Sequence, residues 1–405
     1  MMAKIDIQIP EEFKSQLRHV DAKDKRSDAE ILESLTQHVP ITSEKNIWTY
    51  WHSGVLNMPK WCQRNIINWV RLHGSDWSVR VLDTVPDSPN HALKWISPDQ
   101  LPEAFVKGTM SGPYVGPHSA DFLRGAALYR YGGAWSDVGD IIFLNLDKIC
   151  WDRLSDDSNP FTVSVPWMYS RVMANHFVAA RKGDEFIKIW HELFTHFWKG
   201  QTDFKDIVQN PLMTFVQQLA PTLFADSAVR GFNWDFKIDP VFLLGYIGQC
   251  SAWLRLAWLK EPNGGFDGAD YYSKKILLFD SLEEDWAAEK TIGYSGVDLF
   301  KVFTTRRDAD PESEDYKKAY AATWRMLTKS AMQKITHGKG LTHTPHCGAL
   351  LDLTENEGKD YAPGTFGELI RYGSVYLEQT RDEIAYVDPV EPEPEQIMHK
   401  GIYEP

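Results

Sequence analysis

The sequence predicts an α/β fold, in which a mainly parallel sheet is flanked by helices and followed by helical additions. Between residues 45 and 200, short β-prone runs alternate with amphipathic helical patterns, which is typical of parallel strands joined by helices. A strand, a helix and a second strand fit between residues 46 and 83, the span of one βαβ unit. Hydrophobic residues make up 43% of the 405-residue chain, including 16 tryptophans, so the chain can build a packed core.

Four segments are expected along the chain. Residues 1–44 are polar and charged, and the stretch DAEILESLTQHV has apolar residues at helical spacing, so they are interpreted as an N-terminal helical extension. Residues 45–200 carry the α/β alternation, and residues 201–385 are interpreted as a mixed helical region. Residues 386–405 are rich in proline and glutamate and are expected to be extended or disordered.

The first βαβ unit has clear boundaries in the sequence. The aromatic run NIWTYWHSG (46–54) is β-prone and ends in Ser-Gly, which marks a loop. In PKWCQRNIINWVRLHG (59–74), apolar residues recur at helical spacing between a proline and a glycine, which favour a helix start and a helix end. WSVRVLD (77–83) alternates like a strand and ends in Asp83.

The next predicted helix lies in SADFLRGAALYRYGG (119–133). Ser119 is placed to cap this helix, Asp121 falls in its predicted first turn, and Gly132 can end it in a left-handed conformation. AWSDVGDIIFLNL (134–146) then predicts a turn and a strand, and PFTVSVP predicts another strand. ANHFVAARKGDEFIKIWHELFTHFW predicts a strand, a tight turn and an amphipathic helix.

Beyond residue 200 the pattern is mainly helical. Helices are predicted at 204–224 and 312–332, and a strand at 276–279. The most apolar stretch, 241–259, is interrupted by three polar residues, so a buried or surface-lying helix is expected there rather than a membrane span.

Composition excludes several classes of protein. The net charge of −13 repels nucleic-acid phosphates, and the sequence has no long run of lysine or arginine, so nucleic acid is not an expected partner. The four cysteines lie far apart without a CxxC pair, which indicates neither a disulfide framework nor a zinc ribbon. The N-terminus has no apolar core of signal-peptide length, and no transmembrane segment is expected. These features together predict a cytoplasmic protein.

Asp137 and Asp140 follow the two glycines at the mouth of an apolar strand, and three roles are open for them. They could be the acid/base pair of a glycosidase, although such a pair usually comes from separate strands. They could bind Mg²⁺ or Mn²⁺ and leave coordination positions for phosphate oxygens. They could also form a solvated turn, in which aspartate bonds to its own backbone.

The residues around this turn resemble a family signature: an acid and an arginine on a helix, an aromatic residue, two glycines, an aromatic residue and a short acidic motif. The residues that carry it are Asp121, Arg124, Tyr129, Tyr131, Gly132, Gly133, Trp135 and Asp137. The chain thereby resembles the Asp-x-Asp glycosyltransferases of the capsular-polysaccharide-synthesis and sugar-binding-region type, relatives of the initiating mannosyltransferases. NIWTYWHSG and MANHFVAARKGDEF are similar to two further segments of that family, and the resemblance covers residues 45–200.

The resemblance implies a GT-A fold, with a Rossmann-like nucleotide-sugar domain at 45–200 and an acceptor-side region at 201–385. It implies a glycosyltransferase that moves a sugar from a nucleotide-diphosphate sugar to a small-molecule or glycan acceptor. Asp121 and Arg124 would frame the sugar and phosphate of the donor, and with Asp137 they are the predicted catalytic residues. Six residues are implied to bind the substrate, by stacking on the base or by polar contacts: Trp48, Tyr50, Trp51, Asp83, Asn175 and Lys339.

The resemblance also implies a Mn²⁺ or Mg²⁺ ion that bridges the two phosphates of the donor. Asp137 would be its main ligand, with Asp140 and His337 as further ligands. The full motif has an acid where this chain has Gly139, and an extended chain would point residues 137 and 140 to opposite faces. If the chain bends at Gly139, both carboxylates can reach one ion, and a cationic side chain could also replace the metal.

Two other functions stay open on the sequence alone. The scaffold could serve another group transfer in secondary metabolism, such as the assembly of a small peptide from activated amino acids. It could also be a non-catalytic binding protein. Glu283, Glu284 and Asp285 in SLEEDW are candidates for a second catalytic carboxylate, but a charged surface turn is the simpler interpretation.

Overall fold

The computed structural model describes residues 7–168, 173–219, 235–388 and 392–405. The strands in these ranges are β1 (Leu17–His19), β2 (Asn46–Tyr50), β3 (Ser78–Leu82), β4 (Gly133–Ser136), β5 (Asp140–Ile142), β6 (Val163–Trp167), β7 (Phe177–Ala180), β8 (Ile276–Asp280), β9 (Met332–Lys334), β10 (Leu377–Gln379) and β11 (Tyr386–Val387). The helices are α1 (Asp28–Leu35), α2 (Lys60–His73), α3 (Ala92–Trp95), α4 (Glu103–Val106), α5 (Val115–Tyr131), α6 (Asp152–Ser155), α7 (Glu185–Phe197), α8 (Thr214–Leu219), α9 (Pro240–Tyr246), α10 (Gly248–Ala257), α11 (Gly268–Lys275), α12 (Ser281–Glu284), α13 (Glu289–Ile292), α14 (Gly296–Thr304), α15 (Glu314–Lys329), α16 (Cys347–Leu351) and α17 (Phe366–Tyr376).

Within the described residues, seven of these strands form one sheet in the order β11-β8-β6-β7-β4-β2-β3. β2 is parallel to β3 and β4, and β6 is parallel to β8. β7 runs antiparallel between β4 and β6, and the short β11 is antiparallel at one edge. The predicted α/β fold with a large, mostly parallel sheet flanked by helices is confirmed. The antiparallel β7 is a feature that the strand pattern did not indicate.

The sheet is buried on both faces, because apolar residues occupy successive positions of its strands. In β2, Ile47 belongs to the core of one face and Trp48 to the core of the other, and Ala134 and Trp135 of β4 alternate in the same way. Helices α2, α14, α15 and α17 cover the first face. Helices α5, α7 and α10 cover the second.

The N-terminal segment is tied to distant parts of the chain rather than standing apart. β1 pairs with β10 near the C-terminus, and α1 packs on α2. Ser27 forms the capping box that begins α1, and Ile31 and Leu35 bury its apolar stripe. The helix ends at Leu35, so the pattern that extended to Val39 was too long; Val39 is 49% exposed.

Helix α5 begins at Val115, earlier than the predicted cap at Ser119. The early start is possible because Pro117 falls in the first turn, where no backbone N–H is needed for the helix ladder. Asp121 therefore lies inside the helix, and the helix dipole does not explain an acid there. The predicted end is correct, since Gly132 follows the last helical residue with φ of 70°.

The most apolar stretch forms two consecutive helices, α9 and α10, within the core. Its polar interruptions, Gln249, Ser251 and Arg255, are at most 2% exposed. Arg255 donates to backbone oxygens of the C-terminal tail, so residues 392–405 are packed against the domain. Among the described residues, no helix is long and apolar enough to cross a membrane.

Other elements follow the sequence with local differences. The helix predicted at 312–332 corresponds to α15, and the strand at 276–279 to β8. The helical stretch predicted at 204–224 is a 3₁₀ turn (Phe204–Gln209) followed by α8, and residues 220–224 lie outside the described residues. All four cysteines are unpaired and buried.

At Gly133, the first residue of β4, two segments of backbone approach each other closely. Its φ is 100°, and a Cβ atom there would overlap the carbonyl oxygen of Asn46 in β2. We predict that Gly133→Ala lowers the free energy of unfolding by roughly 2–4 kcal/mol through backbone strain and overlap, measured as a lower melting temperature.

Gly183→Ala is the matched control for that measurement. Gly183 has a φ of 77°, but nothing lies within 4 Å of the position of its Cβ atom. Only the cost of the left-handed conformation remains, about 1 kcal/mol. Equal losses in the two variants would contradict the prediction.

Candidate active site

A cavity of about 710 Å³ opens at the C-terminal ends of β2 and β4. Its walls are formed by the residues that follow these strands, one face of α5, the segment leading into β7, α9 and α10, and the segment after β9. In open α/β sheets, ligands bind at the edge where the parallel strands end. The cavity is therefore the candidate active site.

Asp137 follows β4 and lies at the centre of the polar floor of the cavity. Its Oδ1 accepts hydrogen bonds from Arg124 Nη2 and Trp135 Nε1, both at 3.0 Å, and its Oδ2 accepts one from Lys334 Nζ at 2.7 Å. Burial alone would raise the pKa of Asp137, but the charges of Lys334 and Arg124 outweigh burial and hold this pKa well below its usual range. Asp137 is therefore ionised at neutral pH.

Lys334 reaches Asp137 because β9 pairs with β5 in a two-stranded ribbon beside the main sheet. In this pairing Lys334 lies opposite Asp140, and its Nζ is 3.8 Å from Asp140 Oδ1. The chain turns between the two acids, since the backbone N–H of Asp140 donates to the carbonyl oxygen of Asp137 at 3.0 Å. The bend at Gly139 thus brings both carboxylates to one cation, and that cation is an ammonium group.

Asp140 is fully buried and belongs to a second branch of the same network. Its Oδ2 accepts hydrogen bonds from Ser136 Oγ at 2.9 Å and from His176 Nδ1 at 3.2 Å, and His176 Nε2 donates to Asp285 Oδ2 at 2.8 Å. Burial alone would lower the pKa of His176, but Asp140 and Asp285 raise it to about 9. Burial raises the pKa of Asp285 to about 6. His176 is therefore an imidazolium cation between two acids at neutral pH.

Asp121 and Arg124 lie one turn apart on α5 and form a buried ion pair. Asp121 Oδ1 also accepts from Asn175 Nδ2 at 3.1 Å, and its carbonyl oxygen accepts from Gln249 Nε2 at 2.6 Å. Arg124 is 2% exposed and pairs with both Asp121 and Asp137. The structure thus brings the three predicted catalytic residues into one network.

Tyr50 and Trp51 line the cavity, but Trp48 does not. The Trp48 indole is 0% exposed, donates to the carbonyl oxygen of Gly132 at 3.0 Å and stacks on Tyr131. The prediction that Trp48 stacks on a base is wrong. Strand alternation places this side chain in the core between the sheet and α5.

Asp83 also lies away from the cavity. One of its carboxylate oxygens accepts from Ser88 Oγ at 2.6 Å and the other from the backbone N–H of Val85 at 3.1 Å. The side chain is 5% exposed and fixes the loop after β3. The predicted contact between Asp83 and the donor is therefore not supported by the geometry.

His337 and Lys339 lie in the segment after β9, at the rim of the cavity. His337 bonds to the carbonyl oxygen of Gly338 at 3.1 Å, and burial lowers its pKa to about 4, so it is neutral at pH 7. Lys339 is exposed and makes no ion pair with any described residue, while its carbonyl oxygen accepts from Tyr114 at 2.8 Å. The predicted phosphate contact of Lys339 is compatible with this position.

The residues do not fit the divalent-cation site that the family resemblance implied. In the described ranges, no group of three or more His, Cys, Asp or Glu side chains is arranged to hold a metal ion, and Asp137 Oδ2 already accepts a hydrogen bond from Lys334. Asp140 does not line the cavity. A Cβ atom at Gly139 would overlap the hydroxyl of Thr336, so the position where the full motif has an acid has no room for one.

Four residues of the network were not predicted as site residues: Ser136, His176, Gln249 and Lys334. His176 adjoins the predicted Asn175, and a polar residue before a buried strand is a signal that could have found it. Asp285 was interpreted as part of a surface turn, yet it is 0% exposed. Nothing local in the sequence indicates Lys334, because its partner Asp137 lies 197 residues away.

The imidazolium of His176 gives the stability of the protein a pH dependence. The pKa is about 9 in the folded state and near 6.5 in the unfolded chain, so this stabilisation is complete below about pH 6.5 and is lost as the pH rises through 9. We predict that the free energy of unfolding of the wild type falls by on the order of 2–3 kcal/mol between pH 6.5 and 9.5. In His176→Gln this fall should be absent, as measured by urea denaturation.

His73→Gln serves as the control, because burial lowers the pKa of His73 to about 4 and keeps it neutral throughout this range. The control should keep the pH dependence of the wild type. An unchanged pH dependence in His176→Gln would refute the prediction.

The sequence was also compared with known proteins. A family model described as "Capsular polysaccharide synthesis protein" matches residues 4–213. The probable glycosyltransferase FCK3 of Fusarium pseudograminearum is 46% identical over 398 residues, which cover 98% of this chain and 99% of that protein.

Two further relatives cover most of the chain. The O-glycosyltransferase braB of Annulohypoxylon truncatum is 35% identical over 95% of this chain and 92% of its own length. The O-glycosyltransferase PaGT of Phomopsis amygdali is 35% identical over 88% of both chains. Among solved structures, the PaToxG glycosyltransferase aligns at 15% identity with a TM-score of 0.29, covering 50% of this chain and 80% of that one, which is too distant to interpret individual residues.

The family match spans more than half of the chain, and the relatives match it nearly end to end. The chain therefore belongs to the capsular polysaccharide synthesis protein family, and it is a glycosyltransferase.

Proposed function

We propose that this glycosyltransferase moves a sugar from a nucleoside-diphosphate sugar to a hydroxyl group of a small molecule, on a fold of the GT-A type. The observation that carries the proposal is the cavity at the C-terminal edge of the sheet, whose floor holds an ionised aspartate between two cations. Two relatives are named O-glycosyltransferases, which supports transfer to oxygen.

The reaction places specific demands on such a site. The bond between the anomeric carbon and the diphosphate oxygen breaks, and its electron pair leaves with the nucleoside diphosphate. The acceptor oxygen forms the new bond to the anomeric carbon, and the acceptor proton is released to solvent. Negative charge therefore grows on the diphosphate, and fixed cations stabilise it best where water is excluded.

Asp137 is the residue proposed to hold the donor sugar. Its ionised carboxylate lines the cavity, and 29% of its side chain is exposed. Its depressed pKa makes it a good acceptor for sugar hydroxyls and a poor base. Arg124 links Asp137 to Asp121, and Asn175 donates hydrogen bonds to Asp121 and Gln249. Asp121 and Asn175 are therefore proposed to complete the sugar subsite.

The end of β2 is proposed to bind the nucleobase. Trp51 Nε1 and Thr49 Oγ1 are buried and have no hydrogen-bond partner among the described residues, although both side chains line the cavity. A buried polar group without a partner costs free energy that a bound ligand or water removes. Indole faces also stack on bases of any sequence.

The acceptor is proposed to bind against the opposite, apolar wall. Leu243 and Ile247 at α9, with Phe236 and Leu341, present hydrocarbon to the cavity. A glycan would leave many hydroxyls without hydrogen-bond partners there, which is costly, whereas a small molecule with an apolar surface loses little. This contrast favours a small-molecule acceptor over a glycan.

Nucleotide binding tests the donor class directly. We predict that at least one of UDP, GDP, ADP, CDP and TDP raises the melting temperature of the wild-type protein, because a ligand that binds only the folded state stabilises it. In Trp51→Ala the dissociation constant of that nucleotide should rise about tenfold through lost stacking. Trp51→Phe keeps a ring and should bind more tightly than Trp51→Ala. If none of the five diphosphates shifts the melting temperature, the donor class is rejected.

The role of Asp137 is tested by Asp137→Asn, which keeps the shape of the side chain and removes its charge. We predict that release of nucleoside diphosphate from the bound donor slows about 100-fold or more. Asp270→Asn is the control, since Asp270 is exposed on α11 and forms a surface ion pair with Lys274; its rate should stay within about twofold of the wild type. A rate for Asp137→Asn within the range of the control would reject the assignment.

A further inference from the structure

We propose that the ammonium group of Lys334 takes the place of a divalent cation at the donor diphosphate, so that this enzyme binds its nucleotide donor without a metal ion. The inference rests on the proposed donor class and concerns what neutralises its leaving group. It is carried by three features of the site: the hydrogen bond of Lys334, the filled space beside Gly139 and the charges around Asp137.

The ammonium group of Lys334 has more hydrogen-bond donors than its described partners use, and its side chain lines the cavity. An ammonium group carries three N–H donors. One is used by Asp137 Oδ2 at 2.7 Å, while Asp140 Oδ1 at 3.8 Å lies beyond hydrogen-bond range. The side chain lines the cavity although it is only 7% exposed. Among the described residues, Lys334 Nζ donates a hydrogen bond to Asp137 alone, so two donors are available to bind phosphate oxygens.

The segment from Lys334 to Thr336 fills the space that an acidic side chain at position 139 would need. Thr336, two residues after Lys334, lies where a side chain at position 139 would project. The backbone N–H of Ile335 donates to the carbonyl oxygen of Gly139 at 3.1 Å, which fixes this contact. The segment from Lys334 to Thr336 thus supplies a cation and excludes an acid at the same place.

The local charges also oppose a divalent ion. Each oxygen of Asp137 already accepts a hydrogen bond from a cation, Arg124 at Oδ1 and Lys334 at Oδ2. A divalent ion on Oδ2 would share that oxygen with the Lys334 ammonium, and like charges at this distance repel strongly in a buried site. Asp140, which could offset the repulsion, is already paired with His176.

In the transfer step, Lys334 would act on the leaving group alone. The bond from the anomeric carbon to the diphosphate oxygen breaks with its electron pair on that oxygen, and the two free N–H donors stabilise the charge. The ammonium group keeps its three protons throughout. Lys339, exposed at the rim, is placed to meet the outer phosphate oxygens.

The test compares nucleotide binding with and without metal. The dissociation constant of the tightest-binding nucleoside diphosphate is measured by calorimetry on wild-type protein in EDTA and again in excess Mn²⁺. We expect the two values to agree within about fivefold, a difference of less than about 1 kcal/mol. Binding that is more than about fivefold tighter with Mn²⁺ overturns the proposal. No binding in either buffer rejects the proposed donor class instead.

Variants at position 334 assign the effect to the side chain. Lys334→Met should weaken nucleotide binding in EDTA about tenfold or more, whereas Lys334→Arg, which keeps a positive charge, should retain most of it. Lys290→Met is the matched control at a surface ion pair with Glu283, and it should bind like the wild type. If Lys334→Met is folded by its melting curve and binds nucleotide as tightly as the control in EDTA, the proposal fails. The wild-type comparison decides the question even if Lys334→Met does not fold.

Discussion

A carboxylate that is half-buried at the edge of a sheet is stabilised by nearby positive charge, and in this protein Arg124 and Lys334 supply that charge to Asp137. The two cations lie 13 and 197 residues away along the chain. Removing either partner would leave Asp137 with a single cation and so weaken the pairing that offsets its partial burial. Helix α5, the turn after β4 and strand β9 are therefore held in one arrangement by a single charge balance, and the cavity floor is the product of that arrangement.

The alternation of positive and negative side chains continues beyond Asp137 and connects the chain before residue 200 with the chain after it. Asp140 pairs with His176, and His176 pairs with Asp285, so positive and negative groups alternate from α5 to the turn after α12. The boundary expected near residue 200 separates segments of different sequence pattern. Lys334 and Asp285 follow that boundary in the chain, yet both belong to the network around Asp137 and His176. A glycosyltransferase of this family thus builds its site from the sheet and from the C-terminal region together, and neither part contains the complete network.

The sequence predicts this fold well where the signal is local. The βαβ unit, the end of α5 at Gly132 and the strand β8 follow from apolar periodicity and turn residues, which act over a few residues. Trp48 was misassigned because an aromatic β-prone run does not reveal which of its side chains lie in the core and which line the cavity. The network was incomplete for a different reason: the partners of Asp137 and His176 are brought in by strand pairing and helix packing, and no local pattern encodes those contacts.

The spacing of the two acids explains why the site takes a lysine. A turn with a hydrogen bond from the N–H of Asp140 to the carbonyl oxygen of Asp137 points both carboxylates toward one place. Because Gly139 has no side chain, the segment after β9 can pack against that turn, and cross-strand pairing sets Lys334 opposite Asp140. A side chain at 139 would push this segment away and remove the ammonium group from the acids. The missing acid and the buried lysine are therefore two consequences of one packing contact, and a change in either one would remove the ammonium group from the two carboxylates.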